Sequence, residues 1–131
     1  MSHAENIQKC EKFKAFLVKF LANNNIWCEN TKYPNLVLTR ETSLKVVCPY
    51  TKNPMFLAVD ADKGLADLYV GFISHENGRI SVGFAYQNDL KFYPEDPDAG
   101  WKNPTHRVLT EQLRSIPLLL DVLKSNGGNY V

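Results

Sequence analysis

Apolar residues recur every three or four positions over residues 3–22, which is the spacing of an amphipathic helix. Lysine and glutamate residues fill the positions between them, as on a helix face that meets water. Three asparagines follow at 23–25, and we expect them to end the helix because short amide side chains tolerate left-handed backbone geometry. The predicted apolar face consists of Ile7, Cys10, Phe13, Phe16, Leu17, Phe20 and Leu21.

The middle of the chain carries shorter apolar runs, rich in Val, Leu and aromatic residues, that are typical of β-strands. The polar residues 41–43 separate two of these runs and predict a hairpin. Strands that follow one another through short connections pair antiparallel, so we expect an antiparallel sheet. The predicted strands are 26–29, 36–40, 44–48, 55–59, 68–73 and 80–86.

An Asn-Gly pair at 77–78 lies between the last two predicted strands. It predicts a two-residue type I′ turn, because both residues accept positive φ. In that register Gly71 lies opposite Phe84 and Phe72 lies opposite Gly83, so that each aromatic ring covers a bare stretch of backbone. Large apolar side chains then lie on both faces of the hairpin, and we expect it to be central and covered on both sides.

The last third of the chain is predicted to be helical. Asn103-Pro104 has the form of an N-cap followed by proline at the first helical position. Pro117 must kink or split the helix, and in the second case Ser115 would cap the second piece. The apolar residues at helical spacing are Val108, Leu109, Leu113, Ile116, Leu120 and Leu123.

A helix, a series of strands and further helices, in this order, indicate an α+β fold. We expect an antiparallel sheet of about five strands, with the 67–87 hairpin at its centre. The N-terminal helix and one or two C-terminal helices would pack on this sheet. No repeat, low-complexity segment or linker divides the chain, so residues 1–131 are predicted to form a single α+β domain.

The chain shows no sign of export or membrane insertion. Charged and polar residues interrupt its first 25 residues, which contain no apolar core leading to a small-residue cleavage site, so no signal peptide is predicted. The longest apolar runs, 68–73 and 116–120, are far shorter than the roughly 20 residues of a membrane helix. Three cysteines, at 10, 28 and 48, fall within apolar patterns and are predicted to be buried free thiols. We therefore expect a cytoplasmic protein without membrane association.

None of the common enzyme motifs occurs in the sequence. The glycines do not form a phosphate-binding loop, and the histidines and cysteines lack the spacing of a zinc site. No cofactor, metal ligand or catalytic residue is therefore predicted, which favours a binding protein over an enzyme. The aromatic residues near the hairpin lack interleaved Lys and Arg, so nucleic-acid binding is not expected.

Asp67, Asp89 and Lys91 provide the enzymatic alternative. Asp67 begins one strand and Asp89-Leu-Lys91 closes another, a pattern that resembles metal-dependent nucleases of the restriction-endonuclease-like class. In such enzymes two carboxylates hold Mg²⁺ and the lysine helps to orient the attacking water. The predicted register sets Asp67 against Asn88, so a one-residue bulge is needed to bring the three side chains to one face. Structural strand-end charges are the other interpretation.

Charge is distributed unevenly along the chain. The whole chain has 15 basic and 14 acidic residues, whereas residues 67–98 have two basic and six acidic ones, a local charge of −4. Three acidic residues form a short run that contains proline and is flanked by aromatic residues. Such a composition is typical of a surface that binds a basic protein. A solvated loop whose aromatic side chains pack into the core is the alternative.

From size and charge we expect a small intracellular protein-binding module of the inhibitor or immunity-protein type. This expectation rests on analogy and not on a likeness in sequence. The partner would be a protein with a basic surface, and the sequence leaves the oligomeric state open. The predicted binding residues are Tyr93, Glu95, Asp96, Asp98 and Trp101.

Overall fold

The first helix ends at the three asparagines, as predicted. A computed structural model describes residues 3–33, 35–62 and 65–125, and its helix α1 spans His3–Asn23. Asn25 takes a φ of 62°. The N–H of Ile26 donates to the carbonyl of Leu21 and that of Asn25 to the carbonyl of Ala22, both at 3.0 Å. These two bonds form a Schellman cap, in which an asparagine provides the left-handed residue.

The part of the chain that the structure describes contains eight strands, which form two sheets. A five-stranded sheet has the order β1-β2-β3-β5-β6, and a three-stranded sheet has the order β4-β8-β7. The predicted α+β fold, with helices packed on a five-stranded sheet, is confirmed. The strands are β1 Cys28–Asn30, β2 Leu36–Thr39, β3 Ser43–Val47, β4 Phe56–Asp60, β5 Leu68–Ser74, β6 Ile80–Tyr86, β7 Lys91–Tyr93 and β8 Thr105–Leu109.

The larger sheet is mixed: β3 and β5 pair in parallel, whereas every other pair of neighbouring strands in this sheet is antiparallel. The chain leaves this sheet after β3, adds β4 to the second sheet, and returns as β5. Because β4 follows β3 in the sequence but lies in the other sheet, β3 and β5 can be neighbours and run in the same direction. The expectation of a purely antiparallel sheet is therefore wrong at this one pairing.

The β5–β6 hairpin differs from the predicted register by one residue. Gly71 lies opposite Gly83, and Phe72 opposite Val82. The turn has three residues instead of two: the Gly78 N–H donates to the His75 carbonyl at 3.0 Å, and Gly78 takes a φ of 85°. A type I turn followed by a left-handed glycine uses the same Asn-Gly pair as a type I′ turn, so the dipeptide alone did not decide the register.

The larger sheet is covered on both faces, as predicted for the hairpin. Helix α1 and a C-terminal helix α2, Ile116–Leu123, cover one face, where Leu17 and Leu119 pack with Val70. The second sheet covers the other face through a core that includes Leu57 and Tyr69. The hairpin is not central, however, because β6 is the last strand of its sheet.

The paired glycines of the hairpin let the two sheets approach closely. A Cβ at Gly71 would lie 2.9 Å from Cδ1 of Leu57, and one at Gly83 would lie 2.8 Å from Cβ of Leu113. Real Cβ atoms do not come so near other carbon atoms, so Leu57 and Leu113 fill space that only glycine leaves open.

The C-terminal third contains one short helix where a longer one was predicted. Residues 105–109 form β8, which pairs with β4 on one side and β7 on the other, so the helical prediction is wrong there. Helix α2 spans only Ile116–Leu123, with Ser115 at the N-cap position and Pro117 in the first turn. In the described parts of the chain, neither helix is long and apolar enough to cross a membrane.

Candidate functional site

The acidic residues lie on a short closed loop, residues 94–101, which we call the acidic loop. Its two ends are joined by backbone hydrogen bonds: Asp96 N–H donates to the Trp101 carbonyl at 2.7 Å, and Trp101 N–H donates to the Asp96 carbonyl at 2.9 Å. Between them a 3₁₀ turn spans Pro97–Ala99, and Gly100 closes it with a φ of 89°. The loop therefore has a defined backbone conformation.

Arg107 lies beneath the acidic loop within a group of aromatic rings. Its guanidinium carbon is 3.6 Å from the ring centroid of Trp101, 4.2 Å from that of Tyr93 and 5.5 Å from that of Phe56. Its Nε donates to Thr105 Oγ1 at 2.8 Å. The side chain is only 7% exposed, and a desolvated guanidinium on aromatic faces is strongly attracted to them. Arg107 thus holds the ring of Trp101 in position, and the backbone hydrogen bonds of Trp101 hold the end of the loop.

The carboxylates of the loop point into solvent, whereas its aromatic side chains do so only in part. Glu95, Asp96 and Asp98 are exposed, and Tyr93 and Trp101 are half-buried. Within residues 3–33, 35–62 and 65–125, none of the three carboxylates lies within ion-pair distance of a Lys or Arg. The described residues therefore provide no ion pair that neutralises the negative charge of the loop.

Phe92 is an exposed aromatic residue that the prediction of contact residues left out. It precedes Tyr93 on β7 and is 59% exposed. Its ring contacts His106 edge-on, with centroids 5.7 Å apart. Successive side chains of a strand point to opposite faces, so this alternation could have separated Phe92 from Tyr93 had β7 been predicted.

An open cleft of about 770 Å³ begins at the base of the acidic loop and runs along β4. Gly100 and Trp101 line its start, and Cys48 lines its far part. The exposed side chains of Tyr50 and Met55 add apolar surface to its wall. Its volume lies in the range of sites that hold small molecules, and it can equally receive a side chain of a partner protein.

Two of the three cysteines meet at this cleft. The sulfur of Cys10 accepts hydrogen bonds from the thiol and the backbone N–H of Cys48, and these bonds lower the pKa of Cys10. The same thiol bond, together with burial, raises the pKa of Cys48. The third cysteine lies apart from this pair, and burial raises the pKa of Cys28. All three are free thiols, as predicted, but only Cys48 is buried, whereas Cys10 and Cys28 are half-buried.

The residues of the nuclease alternative have separate partners. The carboxylate of Asp67 accepts hydrogen bonds from the N–H and hydroxyl of Ser43, at 2.9 and 3.2 Å. The carboxylate of Asp89 accepts two from Arg114, both at 3.0 Å, which hold the pKa of Asp89 below its usual range. Lys91 lies on β7 in the other sheet. Among the residues that the structure describes, no three His, Cys, Asp or Glu side chains are placed to hold a metal ion.

Comparison with known proteins gives no relative: no family model, no curated protein and no solved structure matches this chain. No activity or partner is therefore transferred from another protein. The function has to be inferred from the geometry and charge of the chain's own residues.

Proposed function

We propose that this chain is a protein-binding module, of the inhibitor or immunity type, that recognises a basic partner through the acidic loop. One observation carries the proposal: Glu95, Asp96 and Asp98 are exposed and lack ion-pair partners in the part of the chain that is described. Complementary charge increases the rate of association and selects among partners. The free thiols fit a reducing compartment, and we propose the cytoplasm as the place of action.

The closed conformation of the loop favours binding. A flexible acidic segment loses conformational entropy when a partner fixes it, whereas a loop that is already fixed avoids much of this loss. The two backbone bonds between Asp96 and Trp101 fix the ends of the loop, and Arg107 holds Trp101 from below. The three carboxylates are thus presented on a preformed surface.

Apolar contacts beside the carboxylates would supply much of the affinity. The cleft starts at Trp101, and the exposed side chains of Tyr50 and Met55 line its wall. Binding energy is concentrated where aromatic and apolar groups are buried together, with charged groups at the rim. We propose that a partner inserts a side chain into the cleft and places basic groups on the carboxylates.

The nuclease alternative remains a prediction without a supporting observation. For Asp89 to bind Mg²⁺, its carboxylate would have to leave the two hydrogen bonds from Arg114. In the observed register the backbone of Asp67 meets Gln87, whose N–H donates to the Asp67 carbonyl at 3.0 Å. Gln87 is one residue farther from Asp89 than Asn88, the residue that faces Asp67 in the predicted register.

A pull-down from a lysate of the native host tests the proposal. Wild-type protein is compared with Asp96→Lys/Asp98→Lys and with a control, Glu11→Lys/Glu29→Lys, which changes the net charge equally at exposed sites away from the loop. We expect wild type and control to retain the same basic protein and the loop variant to lose it. Equal retention by all three forms would contradict a role for the acidic loop.

A further inference from the structure

Three polar side chains form a hydrogen-bonded chain at the end of the β5–β6 hairpin. Nε2 of His75 lies 2.6 Å from the hydroxyl oxygen of Ser81, and Nδ1 of His75 lies 2.8 Å from Oδ1 of Asn53. A hydroxyl, an imidazole and an oxygen that orients the imidazole are the parts of a hydrolytic triad. We propose that Ser81, His75 and Asn53 form a second functional site, which hydrolyses small esters.

The hydrogen bonds determine which nitrogen of His75 carries the proton. Oδ1 of Asn53 can only accept, so Nδ1 of His75 must donate to it. In the neutral imidazole Nε2 is then unprotonated and accepts the hydroxyl proton of Ser81. This is the tautomer in which an imidazole can act as a base toward a serine.

Asn53 is held in place by its own backbone. It takes a φ of 48°, a left-handed conformation that few residues other than glycine adopt. Its N–H donates to the carbonyl of Ser74 at 2.9 Å, which ties the segment before β4 to the end of β5. Asn53 touches no reacting atom in the proposed reaction, so we assign it as a positioning residue.

The triad opens into a cavity of about 460 Å³. Its apolar wall comes from Pro54, Ile73 and Leu113. A cavity of this size holds a small molecule, and an apolar wall favours the acyl chain of a neutral ester over a charged substrate.

A backbone donor for the developing negative charge is present beside Ser81. Phe84 uses its N–H and carbonyl to pair with Arg114 at the outer edge of β6. Backbone N–H groups point to alternate edges along a strand, so the N–H of Val82, two residues before Phe84, also points to this outer edge. No described residue accepts a hydrogen bond from the Val82 N–H. The N–H that follows the nucleophile is a common part of an oxyanion hole.

The reaction follows in two stages. Oγ of Ser81 attacks the ester carbonyl carbon while Nε2 of His75 takes the hydroxyl proton, and the leaving alcohol receives that proton as its bond to carbon breaks. Water then attacks the acyl group on Ser81 and gives a proton to Nε2. The bond between Oγ and carbon breaks, Oγ regains the proton, and a carboxylic acid is released.

Hydrolysis of p-nitrophenyl acetate by the full chain tests the proposal. We expect Ser81→Ala and His75→Gln each to lower the rate by about 100-fold or more, the usual contribution of a positioned base. Ser125→Ala is the matched control: Ser125 is an exposed serine that does not line this cavity, so the rate of this variant should equal that of wild type. A wild-type rate no higher than that of Ser81→Ala would overturn the proposal.

Two further measurements separate catalysis from a structural role. Diisopropyl fluorophosphate should add one phosphoryl group to wild type, located on Ser81 by peptide mass mapping, with loss of fluoride. Asn53→Ala should slow both reactions and Asn53→Asp should restore them, because aspartate keeps the oxygen that accepts from Nδ1. A label on another residue, or equal rates for both Asn53 variants, would contradict the proposed roles.

Discussion

The guanidinium carbon of Arg107 lies 3.6 Å from the ring centroid of Trp101, and this stack connects the buried second sheet to the exposed acidic loop. Arg107 is on the central strand of its sheet, with Ala58 and Lys91 as its backbone neighbours. The ring of Trp101 therefore rests on a charged group that the sheet fixes in position. The presentation of the acidic loop depends on this pair.

Replacement of Arg107 by alanine should destabilise the protein and release Trp101. The loss of a desolvated cation–π stack and of the Thr105 hydrogen bond predicts a decrease of about 2–3 kcal/mol in the free energy of unfolding. Urea unfolding measures this, and Trp101 fluorescence in a Trp27→Phe background reports the ring. Wild-type values for both would show that the stack does not hold the loop.

Gly83→Ala should destabilise the protein by about 1–3 kcal/mol, because a new Cβ would meet Leu113 Cβ at 2.8 Å. Gly78→Ala is the comparison: Gly78 has a φ of 85° and no atom within 4 Å of the new Cβ, so only backbone strain of about 1 kcal/mol is expected. Thermal and urea unfolding of both variants measure the difference. A smaller loss of stability for Gly83→Ala than for Gly78→Ala would contradict close packing of Leu113 against Gly83.

The ion pair of Asp89 and Arg114 predicts a loss of stability in acid. The pair lowers the pKa of Asp89 in the folded protein, so its contribution is complete above the unfolded pKa, near 3.9, and disappears as pH falls through the lower folded value. Melting temperatures of wild type and Asp89→Asn should therefore differ at pH 6 and converge in strong acid. Asp121→Asn is the control. A constant difference at every pH would exclude this contribution.

Cys10 should react faster with iodoacetamide than Cys28 or Cys48. Hydrogen bonds from Cys48 lower the pKa of Cys10, whereas burial raises the pKa of Cys28, and the thiolate is the reactive form. Cys48→Ala, which removes the thiol donor, should slow Cys10, and Cys48→Ser, which retains a hydroxyl donor, should slow it less. Peptide mass spectrometry follows each site. Equal rates at Cys10 in the three proteins would argue against the hydrogen bond.

Much of the fold could be predicted because local sequence patterns determine it. The end of α1 at Asn23 and six of the strands follow from residue type and period alone. The β5–β6 register could not be predicted, because an Asn-Gly pair suits two turns that differ by one residue. Strand β8 was missed because its partners, β4 and β7, are distant in sequence or very short, and long-range pairing overrides local preference.

The residues of the two proposed sites could likewise be predicted only in part. The acidic run was visible as a charge pattern, and the structure shows Glu95, Asp96 and Asp98 exposed. The role of Arg107 could not be predicted, because an arginine is expected to be a solvated surface charge unless its neighbours in the fold are known. Ser81, His75 and Asn53 are spread over 53–81, and a turn and a loop bring them together.

The association rate with the partner recovered from the host, measured at several ionic strengths, tests whether the acidic loop binds that partner. We expect the wild-type rate to fall as salt increases. We also expect Asp96→Lys/Asp98→Lys to associate about ten-fold more slowly at low salt, with a weaker dependence on salt, because steering by exposed charges is screened. Glu11→Lys/Glu29→Lys should behave like wild type. Equal rates and equal salt dependence for the two double variants would contradict binding through the acidic loop.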